Sequence, residues 1–324
     1  MEAVRGGVSI FFILSGFLMV YNAKPSILFT SGRCYAAKKV KKLYPVHLLM
    51  IIYVLLLETV SGALSPIWPW QVLAQSALIQ TWIPYRRIYY ALNGVSWYLS
   101  VAAFTYFCFP YILKCQKHYR KTWDAINSIV VIFLIDCMVC FLLKQSKVSN
   151  ETIYYVTYIF PLYRLSDFLI GCNLGYVFVH RKKTGNMCKK TSRGTLNEIL
   201  VLVLFEVEEF LFKYGSVPEE IKYMLFFLPV SVLIVWVFAD GYGLISKVGN
   251  THIVAKIASL SGYCFLIHHK IIRTVIALLE KIAHNSPKFL VALISMILSI
   301  ILAEAYIAVS NHLKRHKKFF ERKT

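Results

Sequence analysis

Residues 125–143 read AINSIVVIFLIDCMVCFLL, with Asp136 the single charged side chain in the run. An α-helix needs roughly 20 apolar residues to cross the hydrocarbon core of a bilayer. Inside that core each backbone N–H and C=O must find its partner within the protein. Nine segments meet or approach the required length: 5–22, 43–62, 92–114, 125–143, 163–180, 196–214, 221–240, 259–280 and 288–310. Segment 69–83 is apolar but short and is bounded by Pro69 and Pro84. With Trp68, Trp70 and Trp82 at its ends, it reads as an interfacial or re-entrant helix. The expectation is an all-α, polytopic transmembrane helical bundle of about nine spanning helices plus one short interfacial or re-entrant helix. No repeat, low-complexity tract or soluble domain interrupts it, so 1–324 reads as a single membrane-embedded domain.

Charge then orients the chain. Charged residues make up 16% of the sequence and the net charge is +20, whereas soluble domains carry about 25% charged residues. The basic residues fall in short clusters between apolar runs, which points to membrane topology and away from a nucleic-acid partner. One set of alternating loops, with the tail from Lys314 to Lys323, holds twenty-four Lys and Arg; the other set holds eight. The positive-inside rule assigns the first set, including 24–42, 114–124 and 181–195, to the cytoplasm together with the C-terminus. Nine spans then put Met1 outside, which is unusual without a signal sequence, so one further helix is expected before Met1 and ten in the parent architecture. No cysteine falls in an outer loop, and no structural disulfide is expected. Cys137-x-x-Cys140 lies inside an apolar helix without a second pair, which favours packing over metal or redox chemistry.

Four stretches, in order along almost the whole chain, carry a resemblance. Gly7-Val-Ser-Ile-Phe-Phe-Ile-Leu-Ser-Gly-Phe-Leu18 is followed by the basic Lys38-Lys-Val-Lys-Lys-Leu-Tyr-Pro45. Asn93-Gly-Val-Ser-Trp-Tyr-Leu-Ser100 comes next, with Phe104, Tyr106 and Phe109-Pro110 behind it. Phe160-Pro161 with Arg164 and Asp167-Phe-Leu-Ile-Gly171 then precedes Ser261-Gly-Tyr-Cys-Phe-Leu-Ile-His268. Together they resemble the acyltransferase 3 family of integral membrane O-acyltransferases, in its polysaccharide-modifying branch. Lys39 and Lys42 stand where two arginines are usual, and Ala102-Ala103 where another branch has glutamate.

The resemblance implies transfer of an acyl group, with acetyl as the expected group, from cytoplasmic acyl-CoA to a hydroxyl of a cell-surface glycan or lipid-linked saccharide. It implies no cofactor beyond that donor and no metal, and a bacterial cytoplasmic (inner) membrane as the setting. The family's supposed catalytic histidine belongs to a helix that would precede Met1. The chain as written is therefore expected to be inactive alone, with His268 the matched histidine left as the catalytic candidate.

The candidate residues also have blander readings. Lys39 and Lys42 could seat the donor's phosphates, as point charges without arginine's fork, or serve only as topology signals beside anionic lipid. Arg164 and Asp167, three apart, could pair on one helical face, or Arg164 could snorkel from the helix end. His269 can reach Arg273 one turn on. Ser96 and Trp97 are candidate site-lining residues, whereas Ser15, Ser100 and Ser261 read as packing. Glu206 and Glu209 share a face, which motivates a rival reading as a secondary transporter or flippase. A third reading is a non-catalytic membrane partner in glycan assembly.

Overall fold

A computed structural model describes residues 6–185, 191–282 and 287–320. Among them every regular element is a helix. The main ones are α1 (Gly6–Tyr21), α2 (Gly32–Val40), α3 (Tyr44–Val60), α4 (Trp68–Ser76), α5 (Trp97–Gln116) and α6 (Thr122–Gln145). They continue with α7 (Pro161–Lys183), α8 (Thr191–Tyr214), α9 (Leu228–Asp240), α10 (Leu244–Gly249), α11 (His252–Ile282) and α12 (Lys288–Phe320). Each of the nine expected segments contains a helix. Four of those helices are long and apolar enough to cross a membrane: Gly94–Gln116, Thr122–Gln145, His252–Glu280 and Phe289–His312. Gly32–Val40 and Tyr44–Val60, taken together as one broken span, would make five. α1 and α9 are apolar but shorter, while α7 and α8 carry too many polar groups to qualify by composition. The short apolar segment at 69–83 is broken into α4 and a 3₁₀ turn at Gln80–Trp82.

The lipid-facing character is plainest on α6. Only 11% of its most apolar window is buried, and Val130, Val131, Leu134, Met138 and Phe141 are exposed on its surface. Exposed apolar area on that scale is unstable in water and suits hydrocarbon. The chain is a membrane protein.

Two compact units are formed. The first comprises Met1–Val40, Leu78–Tyr89 and Trp97–Thr251; the second comprises Lys41–Ala77, Tyr90–Ser96 and His252–Thr324. In the first, α7 packs against α1, α5 and α6. Its approach to α1 depends on missing side chains. A Cβ on Gly16 would collide with the Phe168 carbonyl oxygen, one on Gly171 with the Ile13 carbonyl, and one on Gly175 would lie 2.8 Å from the Phe17 carbonyl. Lipid offers no hydrophobic drive for helices to associate, so close backbone contact through small residues supplies the packing energy. Ile13, Phe17, Ile170, Leu174 and Phe178 fill the seam beside the glycines. In the second unit, α3 buries one stripe, Val46, His47, Met50, Ile51 and Val54, at helical spacing. Val46 and Met50 meet Tyr263, Leu266 and Ile267 of α11 and Ala303 of α12.

Because the α1–α7 seam is backbone against backbone, Gly171→Leu is expected to abolish a monodisperse peak in detergent gel filtration. Overpacking alone costs about 1–3 kcal/mol, and here the obstacle is main chain that cannot rotate away. Gly249→Ala, where a Cβ meets nothing within 4 Å, serves as the silent control. A normal peak for Gly171→Leu would contradict the seam.

Candidate functional site

The first unit holds a buried cation. A π-helical turn at Tyr155–Ile159 ends at Phe160, whose backbone is extended, and Pro161 opens α7. Proline fits the first helical position but withholds an N–H from the preceding turn. Beside that break Arg164 Nε donates to the Tyr158 carbonyl at 2.9 Å. Nη1 donates to Ser9 Oγ at 3.1 Å and to Asp167 Oδ2 at 2.8 Å. Nη2 donates to the Tyr223 carbonyl at 3.1 Å, and the guanidinium lies over the Tyr158 ring at 4.8 Å. Arg164 and Asp167 are both 0% exposed. The pairing expected from their spacing is formed, and the snorkelling alternative is overturned: the guanidinium is fully buried and hydrogen-bonded to two backbone carbonyls. Trp97 is buried in the same unit, its ring 5.0 Å from that of Tyr158.

The second unit holds a neutral polar cluster, and it joins two of the matched stretches. Asn93 Nδ2 donates to the Leu266 carbonyl at 2.8 Å, so the Asn93–Ser96 turn sits on the Phe-Leu-Ile-His helix. Gly94 lies against His269, since a Cβ there would be 3.6 Å from that ring. Ser96 is fully buried and donates to Gln75 Oε1 at 2.6 Å; Gln75 Nε2 donates to the Ala91 carbonyl at 3.1 Å. His47 Nε2 donates to the Gln75 carbonyl at 2.9 Å. Among the described residues His47 Nδ1, Asn93 Oδ1 and His269 Nδ1 are buried without a hydrogen-bond partner. His269 forms no hydrogen bond with Arg273 among them.

His268 is half-buried, and its Nδ1 lies 2.8 Å from the Phe265 carbonyl and 3.2 Å from that of Cys264. A carbonyl only accepts, so Nδ1 is the donor in these contacts and Nε2 is turned away from them. The structure thus brings His269, rather than His268, against the Asn93-Gly94 turn.

The expected donor seat is divided. Lys39 ends α2 in the first unit, its ammonium 5.5 Å from the centre of the Tyr35 ring. Lys42 opens the second unit, its ammonium 5.3 Å from that of Tyr263. Cys188, Lys189 and Lys190 of the next basic loop lie outside the described residues.

Other acids and thiols find structural roles. Glu198 accepts from the backbone N–H groups of Ile245 and Ser246 at the start of α10. Asp136 accepts from Ser166 at 2.8 Å. Glu206 is exposed on the apolar face of α8 beside Leu202 and Phe210, Glu208 is buried and Glu209 half-buried. Cys140 packs against the Tyr163 hydroxyl and the Glu220 carbonyl.

Helices broken at Pro161 and buried polar clusters inside a lipid-facing shell define a polytopic membrane protein built around internal sites. A family model described as an acyltransferase domain matches residues 2–305, and the chain belongs to the acyltransferase 3 family. Among curated proteins, Acyltransferase MdmB of Streptomyces mycarofaciens is 28% identical over 180 residues, covering 51% of this chain and 44% of that protein. The match therefore spans less than half the length of that relative. No solved structure matches the chain.

Losing one partner of a buried ion pair costs about 3–5 kcal/mol, because the other charge is stranded. Arg164→Ala is therefore expected to lower the midpoint of heat-induced aggregation in detergent by several degrees. Adding Asp167→Ala is expected to restore part of that loss. An unchanged midpoint for Arg164→Ala would show that the cage holds nothing together.

Proposed function

We propose that the chain is a membrane O-acyltransferase. It moves an acyl group, acetyl being the expected one, from cytoplasmic acyl-CoA to a hydroxyl of a cell-surface glycan or its lipid-linked precursor. The setting is a bacterial cytoplasmic membrane, with the basic loops and the C-terminus on the cytoplasmic side. The family match over residues 2–305 supports the reaction class. The observation that carries the chemistry is the anchoring of the His268 ring, with Nδ1 held on two backbone carbonyls and Nε2 turned away from them.

A general base must accept the hydroxyl proton as the oxygen attacks. With Nδ1–H fixed, Nε2 of His268 takes that proton, and the alkoxide oxygen forms a bond to the thioester carbonyl carbon. The tetrahedral intermediate collapses by breaking the carbon–sulfur bond. The departing thiolate recovers the proton from the imidazolium, so an ester and free CoA result. Holding the tautomer through a backbone carbonyl is how orienting groups serve catalytic imidazoles. Lys39 and Lys42, each taken by itself, offer an ammonium group to the donor's phosphates. The Asn93–Ser96 turn, Trp97 and the Arg164–Asp167 pair fix the helices that carry the reacting groups.

Loss of a general base costs about 10²–10⁴-fold. With His268 as the base the chain itself transfers acetyl, against the expectation of inactivity that the resemblance carries, and in its membranes His268→Ala is expected to reduce transfer to a glycan acceptor by that factor while acetyl-CoA binding persists. Transfer at the unmodified rate would assign the base to another residue.

A further inference from the structure

In the first unit α8 packs against α9 and α10, and the residues it buries, Glu198, Val201 and Glu208, share one side of the helix. The opposite side carries Ile199, Val203, Glu206 and Phe210, in steps of four, three and four residues, and all four are exposed. With Leu202 and Val207 beside them they line a shallow groove of about 410 Å³ whose whole wall belongs to α8. Alternating steps of four and three average 3.5 residues, the period of a stripe that packs lengthwise on a second helix.

Glu206 says what must cover that stripe. At 1.5 Å per residue it stands about 15 Å from one end of the apolar segment 196–214 and about 12 Å from the other, so a bilayer crossed by this segment surrounds the carboxyl with hydrocarbon. Among the described residues Glu206 makes no hydrogen bond or ion pair. Lipid chains offer it no partner, and headgroups at either surface are too distant. Acids within membrane helices almost always face a polar interior or pair with one another. The occupant is therefore a membrane helix with a polar group at the same depth. A second copy of this chain meets that condition by itself. Copies inserted according to the same loop charges run parallel and at one depth. About a two-fold axis along the membrane normal each residue of the stripe faces its own counterpart, apolar on apolar and Glu206 on Glu206. A different protein would need a polar residue placed at that register.

We propose that this face of α8 is the contact surface of a homodimer. Ile199, Val203 and Phe210 pack on their counterparts, and the two Glu206 carboxyl groups hydrogen-bond across the axis, one O–H donating to the other carboxyl's oxygen. Interhelical hydrogen bonds of this kind hold membrane helices together where apolar contact alone gives no preference over lipid. The one polar position also fixes the register, as a single polar residue does in a soluble coiled coil.

The test places purified copies carrying one or the other of two fluorophores in phosphatidylcholine vesicles and follows energy transfer as lipid dilutes the protein. The unmodified chain is expected to follow a monomer–dimer curve. Glu206→Gln, whose amide both donates and accepts, is expected to hold the dissociation constant within about threefold, and Glu206→Leu to raise it about 5–30-fold. Register is read separately by mild oxidation. Val203→Cys is expected to cross-link two copies above the background of the native cysteines, whereas Leu204→Cys, exposed on another side of α8, is not. Gel filtration checks that each variant stays folded. No energy transfer at the highest protein-to-lipid ratio would overturn the proposal and leave the face to a helix of another membrane protein. Transfer that Glu206→Leu leaves unchanged, with no cross-link at position 203, would put the dimer contact elsewhere and overturn it as well.

Discussion

Arg164 is a full positive charge with no exposed surface inside a lipid-facing bundle. An ion in such a place must be paired and hydrogen-bonded or it cannot stay. Four hydrogen bonds carry its guanidinium to Ser9 on α1, Asp167 on its own helix, the Tyr158 carbonyl in the π turn and the Tyr223 carbonyl before α9. The guanidinium thereby ties three separated stretches of chain together, and the carbonyls and the carboxylate around it make the buried charge tolerable.

The matched stretches pair off in space in a way that clarifies why they recur together. Ser9 and Gly16 of the first stretch meet Arg164 and Gly171 of the fourth, one by a hydrogen bond and the other by backbone contact. Asn93 of the third meets Leu266 in the Phe-Leu-Ile-His run, and Gly94 lies against His269 just beyond it. Ser9, Gly16, Asn93 and Gly171 each make a contact that a larger or apolar residue would spoil. The second stretch differs, because Lys39 and Lys42 belong to separate compact units and each ammonium lies against a tyrosine ring.

Much of the fold was legible from apolar run length alone, since lipid leaves the backbone few alternatives to helix. The Arg164–Asp167 pair was legible too, because residues three apart share a helical face. Less was legible where polarity interrupts the pattern. α7 and α8 are helices at expected places, yet their charges and hydroxyls deny them the composition of a simple span. His47 and Gln75 stand outside every matched stretch, although a polar residue at a stripe position such as His47, between Val46 and Met50, is a visible signal of a buried network.

The central claim is covalent transfer of an acyl group, and following the label tests it most directly. Membranes containing the chain are supplied with acetyl-CoA labelled in the acetyl group, and the saccharide fraction is examined for label released by mild alkali. The account predicts alkali-labile acetyl ester on the saccharide, with one free CoA thiol appearing for each acetyl transferred. Saccharide that crosses the membrane without acquiring label, or no thiol release at all, would contradict it.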